Sequence, residues 1–135
     1  MYALEVRDHV MIAHSLPGEA FGPAQGMHGA TFVIDVAFFR PTLTDNDIVV
    51  DIGLAADALK SILGEVNYRN LDELDVFGGK RSTTEVLAKF VFDRMRVAIR
   101  DGALGADASG ITRMRVTLNE SHVARAWFEA DLDGA

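Results

Sequence analysis

The chain has no cysteine. It can therefore hold no disulfide framework, thiolate nucleophile or thiolate metal site. Positive charge is scarce as well: 13 Lys and Arg stand against 20 Asp and Glu, a formal charge of -7 at pH 7. Nucleic acid is bound by clustered Lys and Arg that displace phosphate counterions, and an anionic membrane surface attracts the same residues, so neither partner is expected. No apolar run approaches the roughly 20 residues of a membrane helix. The segment Met1–Arg7 has no basic stretch followed by an apolar core, so no signal peptide is expected either. Low-complexity tracts, linkers and repeats of solenoid period are all missing. What remains is 135 residues, 49% of them hydrophobic, which suits one domain spanning residues 1–135 and a cytoplasmic enzyme or binding protein.

Hydrophobic periodicity divides that domain. Tyr2, Leu4, Val6, Val10 and Ile12 alternate with Ala3, Glu5, Arg7, His9 and Met11, with Asp8 out of pattern, and predict a half-buried strand. Residues 15–27 carry Pro17, Gly18, Gly22, Pro23 and Gly26 and predict a loop. A long second strand follows, with His28, Ala30, Phe32, Ile34, Val36 and Phe38 on one face and Gly29, Thr31, Val33 and Asp35 on the other. Pro41 and Asp45-Asn46-Asp47 end it. Helical spacing then joins Ile52, Ala55, Leu59, Ile62, Leu63 and Val66. After a polar stretch at 67–81, Ser82-Thr83-Thr84-Glu85 has the form of a capping box, with Ser82 at the N-cap and Glu85 at the third helical position. The helix it starts presents Leu87, Phe90, Val91, Met95 and Ala98, and Gly102 and Gly105 close it. Met114, Val116 and Leu118 form a third strand, and Ala124 to Leu132 a weaker fourth. The order β-β-α-α-β-β predicts an α+β domain, a four-stranded antiparallel sheet with two helices on one face.

Chemistry concentrates in a few positions. Residues i and i+2 of a strand share a face, so a His-any-His pair on a strand can supply two metal ligands. Positions 28 and 30 share such a face, but only His28 can coordinate, because position 30 is Ala30. His14, on the neighbouring strand, is a second imidazole. His9 falls on the opposite face and His122 beside a turn. Two imidazoles fall short of the three protein ligands of a catalytic zinc. They serve equally as polar residues lining a pocket or touching its ligand. Glu120 shares parity with Met114, Val116 and Leu118 and is expected to end a buried face. A carboxylate there needs a partner: Arg113, Arg115 or Arg125, or the N–H groups of a ligand.

The runs Ile12-Ala13-His14-Ser15-Leu16-Pro17 and Gln25-Gly26-Met27-His28-Gly29-Ala30-Thr31-Phe32 resemble the 6-pyruvoyl-tetrahydropterin synthase and 6-carboxy-tetrahydropterin synthase family. Matching motifs keep their order from about Leu4 to Phe128. The resemblance implies the T-fold, in which subunits join their sheets into a barrel, assemble as hexamers (dimers of trimers) and place their sites between subunits. It also implies a zinc held by three histidines, of which the third is replaced here by Ala30. The family's cysteine four positions before His-Gly-His is Ala24. Its motif Leu-Asp-His-any-any-Leu-Asn becomes Val66-Asn67-Tyr68-Arg69-Asn70-Leu71-Asp72, so Asn67 stands for the acid and Tyr68 for the histidine. No catalytic position is intact. Tyrosine ionises near pH ~10 and asparagine not at all, so neither supplies a base matched to neutral pH.

The substrate-holding motifs fare better. The family's Glu-Thr, which grips the pterin ring, is Glu120-Ser121; its Pro-Thr-any-Glu is Ser82-Thr83-Thr84-Glu85; its apolar-apolar-Asp-Phe is matched by Val49-Val50-Asp51-Ile52, where Asp51 serves equally as a helix N-cap. The resemblance thus implies a ligand-binding set of Glu120, Ser121, Thr83, Thr84, His28, His14 and Asp51, with no cofactor and with His14 and His28 as remnants of a zinc site. A carboxylate accepting two parallel N–H bonds suits a 2-amino-4-oxo ring. Three functions follow as expectations. The first is a pterin-binding homologue that does not catalyse the family reaction. The second is a metal-free enzyme with aldolase-like proton transfer through Tyr68 and with Lys80 and Arg81 nearby. The third is a non-catalytic assembly or regulatory subunit.

Overall fold

In the computed structural model, which describes residues 1–132, six main elements follow the order expected. They are β1 (Tyr2–His14), β2 (His28–Arg40), α1 (Ile52–Leu63), α2 (Thr84–Arg100), β3 (Arg113–Asn119) and β4 (Arg125–Asp131). The strands form one antiparallel sheet in the order β1-β2-β3-β4. Both helices lie on the same face. There Val6, Val10, Ile12, Phe32, Ile34, Val36, Phe38, Met114, Val116 and Leu118 meet Ala55, Leu59, Ile62, Leu87, Phe90, Val91 and Met95. Each large side chain so buried contributes about 1.5–3 kcal/mol before chain entropy is subtracted. Asp8, the break in the pattern of β1, stays half-buried near the rim.

Strand length creates the site. β1 and β2 are 13 residues each, whereas β3 and β4 are seven. β3 pairs with β2 only from Val33 to Phe39, so the β1–β2 ribbon runs on past the end of β3, out to the pair His14↔His28.

Local chemistry fixes the helix ends, and two expectations are corrected. Ile52 begins α1 but is 60% exposed, so the buried stripe starts at Ala55; Val66 is buried beyond the helix end. The N-cap of α2 is Thr83, whose hydroxyl accepts from Val86 N at 3.3 Å, not Ser82. The shift leaves Ser82 free to turn inward.

The two loops are more ordered than their composition suggests. Residues 15–27 contain a 3-10 segment at Glu19–Gln25, broken at Gly22, whose φ of 51° favours glycine. Within 67–81, a short turn at Leu71–Glu73 buries Leu71, and Phe77 is buried too. This segment runs along the outer edge of β1. Tyr68 N donates to Met11 O at 2.7 Å, Ala13 N to Arg69 O at 3.0 Å, and Met11 N to the Asn67 Oδ1 at 3.0 Å. It covers the half of that edge nearest His14, which an open strand edge requires.

The helix-free face of the sheet is polar. Asp35, 6% exposed, accepts from Arg7 Nε and Nη2 at 2.6 and 2.9 Å and from Asn119 Nδ2 at 3.0 Å. Arg113 is engaged by Glu129 and Asp131 at 2.7 and 2.6 Å. Among the described residues no helix is long and apolar enough to cross a membrane.

Candidate functional site

His14 closes β1 and is 4% exposed. Its Nδ1 lies 3.0 Å from both Ser82 O and Ser82 Oγ, and its ring meets His28 edge-on with centroids 4.6 Å apart. Phe32 backs it at 6.4 Å. His28 opens β2, is half-buried, and its Nδ1 lies 2.9 Å from Gly26 O. A carbonyl can only accept, so in each neutral ring Nδ1 carries the proton and Nε2 keeps its lone pair. Burial, and then the neighbouring His28, holds His14 below the ordinary imidazole range, while the Ser82 carbonyl, Asp72 and Glu120 oppose the shift. His14 is therefore neutral at pH 7.

Asp72 is the carboxylate that the sequence did not single out. It accepts from Ser15 N at 3.1 and 3.2 Å and from Ser15 Oγ at 2.5 Å. The Ser15 hydroxyl is the main reason it is held below the usual carboxylate range, against the opposing effect of burial, and the Ser15 backbone N–H adds to it. Ser82 was likewise read as a cap, and only the fold brings it to His14.

These residues do not fit a catalytic zinc. Each Nδ1 donating to a carbonyl is the support a metal-bound imidazole commonly has. A third donor is missing: position 30 offers a methyl group, and no group of three His, Asp or Glu able to hold a metal ion occurs among the described residues. His9 is exposed on the opposite face, as its parity predicts.

Glu120 departs from expectation in its burial. β3 ends at Asn119, because Glu120 N and Ser121 N both donate to Ala124 O, at 3.1 and 3.2 Å, and turn the chain back toward β4. Glu120 is exposed on that turn rather than ending a buried face. Its carboxylate has no hydrogen-bond or ion-pair partner among the described residues, and neither Arg113, Arg115 nor Arg125 pairs with it. Arg113 is engaged by Glu129 and Asp131, and Arg115 lies 3.7 Å from Glu129. Glu120 and Ser121 instead line a cleft of about 550 Å³ with Arg7, Thr31, Asn119 and Arg125, a volume that suits a small ligand. His122 belongs to the same cleft.

The other expected residues separate. Thr83 spends its hydroxyl on α2, and Thr84 is the first helical residue; Ser82 beside them reaches His14. Asp51 caps α1 through Leu54 N at 3.0 Å and lines a separate cleft of about 160 Å³. Ala24 sits in the 3-10 segment, where its carbonyl accepts from Leu16 N at 3.0 Å. Asn67 uses its side chain on Met11, and Tyr68 is 78% exposed with a φ of 59°. The fold thus brings His14, His28, Ser82 and Asp72 together, with the charge of Glu120 acting on His14, and leaves Asp51 elsewhere.

Comparison with known proteins identifies the fold and the family. The sequence model of the family described as 6-pyruvoyl tetrahydropterin synthase matches residues 3–131. The chain is similar to the 6-carboxy-5,6,7,8-tetrahydropterin synthase of Bacillus subtilis (strain 168), at 25% identity over 92 residues, which cover 65% of this chain and 61% of that protein. Its fold is similar to that of the 6-pyruvoyl tetrahydropterin synthase of Caenorhabditis elegans, with a TM-score of 0.80 at 21% identity over 96% of this chain and 95% of the other. The Plasmodium vivax 6-pyruvoyl tetrahydropterin synthase structure gives 0.74 at 13% identity, over 97% and 99%. The four-stranded sheet under two helices is therefore a T-fold, and the chain belongs to the 6-pyruvoyl tetrahydropterin synthase family.

Proposed function

We propose that this protein binds a pterin or a related 2-amino-4-oxo heterocycle through Glu120 and Ser121, without catalysing the reaction of the 6-pyruvoyl tetrahydropterin synthases. The observation that carries the reading is the free carboxylate of Glu120 at the mouth of a ligand-sized cleft. An exposed acid needs no partner to be stable, but here two arginines of the same sheet are engaged by other acids and Glu120 is left over. Two parallel N–H donors on a flat ring would satisfy it bidentately.

Loss of the family reaction follows from the residues. Proton abstraction needs a base of tuned pKa and stabilisation of the developing charge. The positions that carry the base hold Ala24, Asn67 and Tyr68, and Ala30 removes a metal donor. Absence of a general base alone forfeits a factor of about 10²–10⁴ in rate. His14 and His28 stand on the other face of the sheet from Arg7 and Thr31 and do not line that cleft, and no cofactor is required in this reading. The sheet edges of β1 and β4 would join in a homo-oligomeric barrel, hexameric as in the family pattern, with the site between subunits in the cytoplasm. Thr83 and Thr84 would reach the ring from such a neighbour through backbone groups at the start of α2.

The test is equilibrium binding of a 2-amino-4-oxopteridine to purified protein, alongside a turnover assay with dihydroneopterin triphosphate. Saturable binding without turnover is expected. Failure to bind any such ring would refute the binding reading, and a burst of product would refute the loss of catalysis.

A further inference from the structure

The helix-free face of the sheet carries a second cleft, of about 290 Å³. Its floor is one row across all four strands, because Arg7 pairs with Asp35, Asp35 with Thr117 and Thr117 with Trp127. Asp35 and Thr117 are only 6% and 9% exposed, so the middle of that floor is polar and buried. Arg115 and Arg125 each stand two residues along a strand from a member of the row and share its face. Arg7 gives Nε and Nη2 to Asp35 at 2.6 and 2.9 Å, which fixes its guanidinium and leaves Nη1 for another acceptor. Arg115 is turned over Phe39 and toward Glu129. Arg125 is near enough to Asp35 to act on it through charge, and forms no ion pair among the described residues. In a chain of net charge -7, three guanidinium groups thus gather against Glu5 and an Asp35 already engaged. Trp127, the single tryptophan of the chain, is 55% exposed beside them. Among the described residues no aromatic ring or cation covers its face.

We propose that this row is a second ligand site, one that takes a planar aromatic acid, with the ring on Trp127 and the oxyanion held by Arg125 and the free edge of Arg7. It does not depend on a heterocycle at Glu120: Arg7 and Arg125 border both clefts, but Thr117 and Trp127 line this one and not the other. A guanidinium fork matches the two oxygens of a carboxylate or a phosphate ester. The indole face offers a broad stacking surface at a fixed distance from that fork. The Thr117 hydroxyl supplies a further donor from the floor. Ring and charge act together here, because exposed arginines alone hold an anion weakly in water. The two kinds of acid share this chemistry and differ only in the oxyanion they present.

With one tryptophan in the chain, intrinsic fluorescence reports on this cleft alone. Benzoate and phenyl phosphate are expected to quench it saturably, and the tighter of the two identifies the oxyanion. Benzyl alcohol, a ring without charge, and acetate and inorganic phosphate, charges without a ring, should need at least about tenfold higher concentration. Arg125→Gln, at an exposed position, should weaken both acids by about tenfold with an unchanged melting curve. Glu5→Gln removes the acid on the rim and should tighten both. Titration calorimetry on Trp127→Ala, which needs no fluorescence, should show a loss of about tenfold as well. No quenching by either acid, equal quenching by benzyl alcohol, or unchanged affinity in Arg125→Gln would overturn the proposal. An equal loss in Glu120→Gln would place the acid in the neighbouring cleft and also overturn it. Binding of the acids by a protein that takes up no pteridine would support the second site and refute only the reading at Glu120.

Discussion

His14 and Glu120 sit near the same end of the sheet and have opposite fates. His14 is 4% exposed, held by Ser82 and set edge-on to His28 and Phe32. Glu120 is exposed on a turn, with no partner among the described residues. The contrast separates a residue that the fold itself now uses from one that the fold leaves idle. Burial and hydrogen bonding explain His14 without any ligand. They do not explain Glu120, whose removal the folded chain would not notice.

The most forceful way to break the comparison is to restore the missing donor. Ala30→His puts a third imidazole on the face of His14 and His28, and competition titration is expected to show zinc affinity rising by about 100-fold or more over the wild type. One tightly bound zinc per wild-type chain by elemental analysis would remove the distinction altogether. Next in size is stability. His14→Ala should cost about 2–3 kcal/mol through lost packing and an orphaned Ser82 carbonyl, whereas Glu120→Ala should stay within about 0.5 kcal/mol in denaturant melts.

A smaller effect is sharper in kind. Since His14 is held below the ordinary imidazole range, the unfolded chain takes up the proton first, and stability should fall as pH drops below about 6.5. His14→Phe should lose that slope. It should keep the steeper loss below about pH 4, where Asp35 and Asp72, held down chiefly by Arg7 and Ser15, are protonated only at the expense of native bonds. The smallest effect belongs to Tyr68. Its left-handed backbone and 78% exposure predict that Tyr68→Gly raises stability, by up to about 1 kcal/mol, in the same melts.

How much of this was legible beforehand depended on the range of the interaction. The period of two in β1, β2 and β3 survives because each of those strands buries one face against the helices, so their core positions could be read off directly. The N-cap of α2 could not, since Ser82 and Thr83 are both good caps. The choice was made by His14, 68 residues away, which claims Ser82. The alternation that carried Glu120 into the core fails because parity holds only while the ladder continues, and Ala124 O ends it. Asp72 was passed over as the last residue of a motif. Its partner Ser15 lies 57 residues distant, and nothing local announces the pair.

The central claim is that Glu120 is kept for a ligand, and the direct measurement is the affinity of a 2-amino-4-oxopteridine for wild type and Glu120→Gln, with the melting curve of each recorded alongside. The amide replaces one acceptor by a donor and removes the charge. Affinity is expected to fall by about 100-fold while stability is unchanged. Equal affinity in the two proteins, or an equal loss of stability and binding, would contradict it.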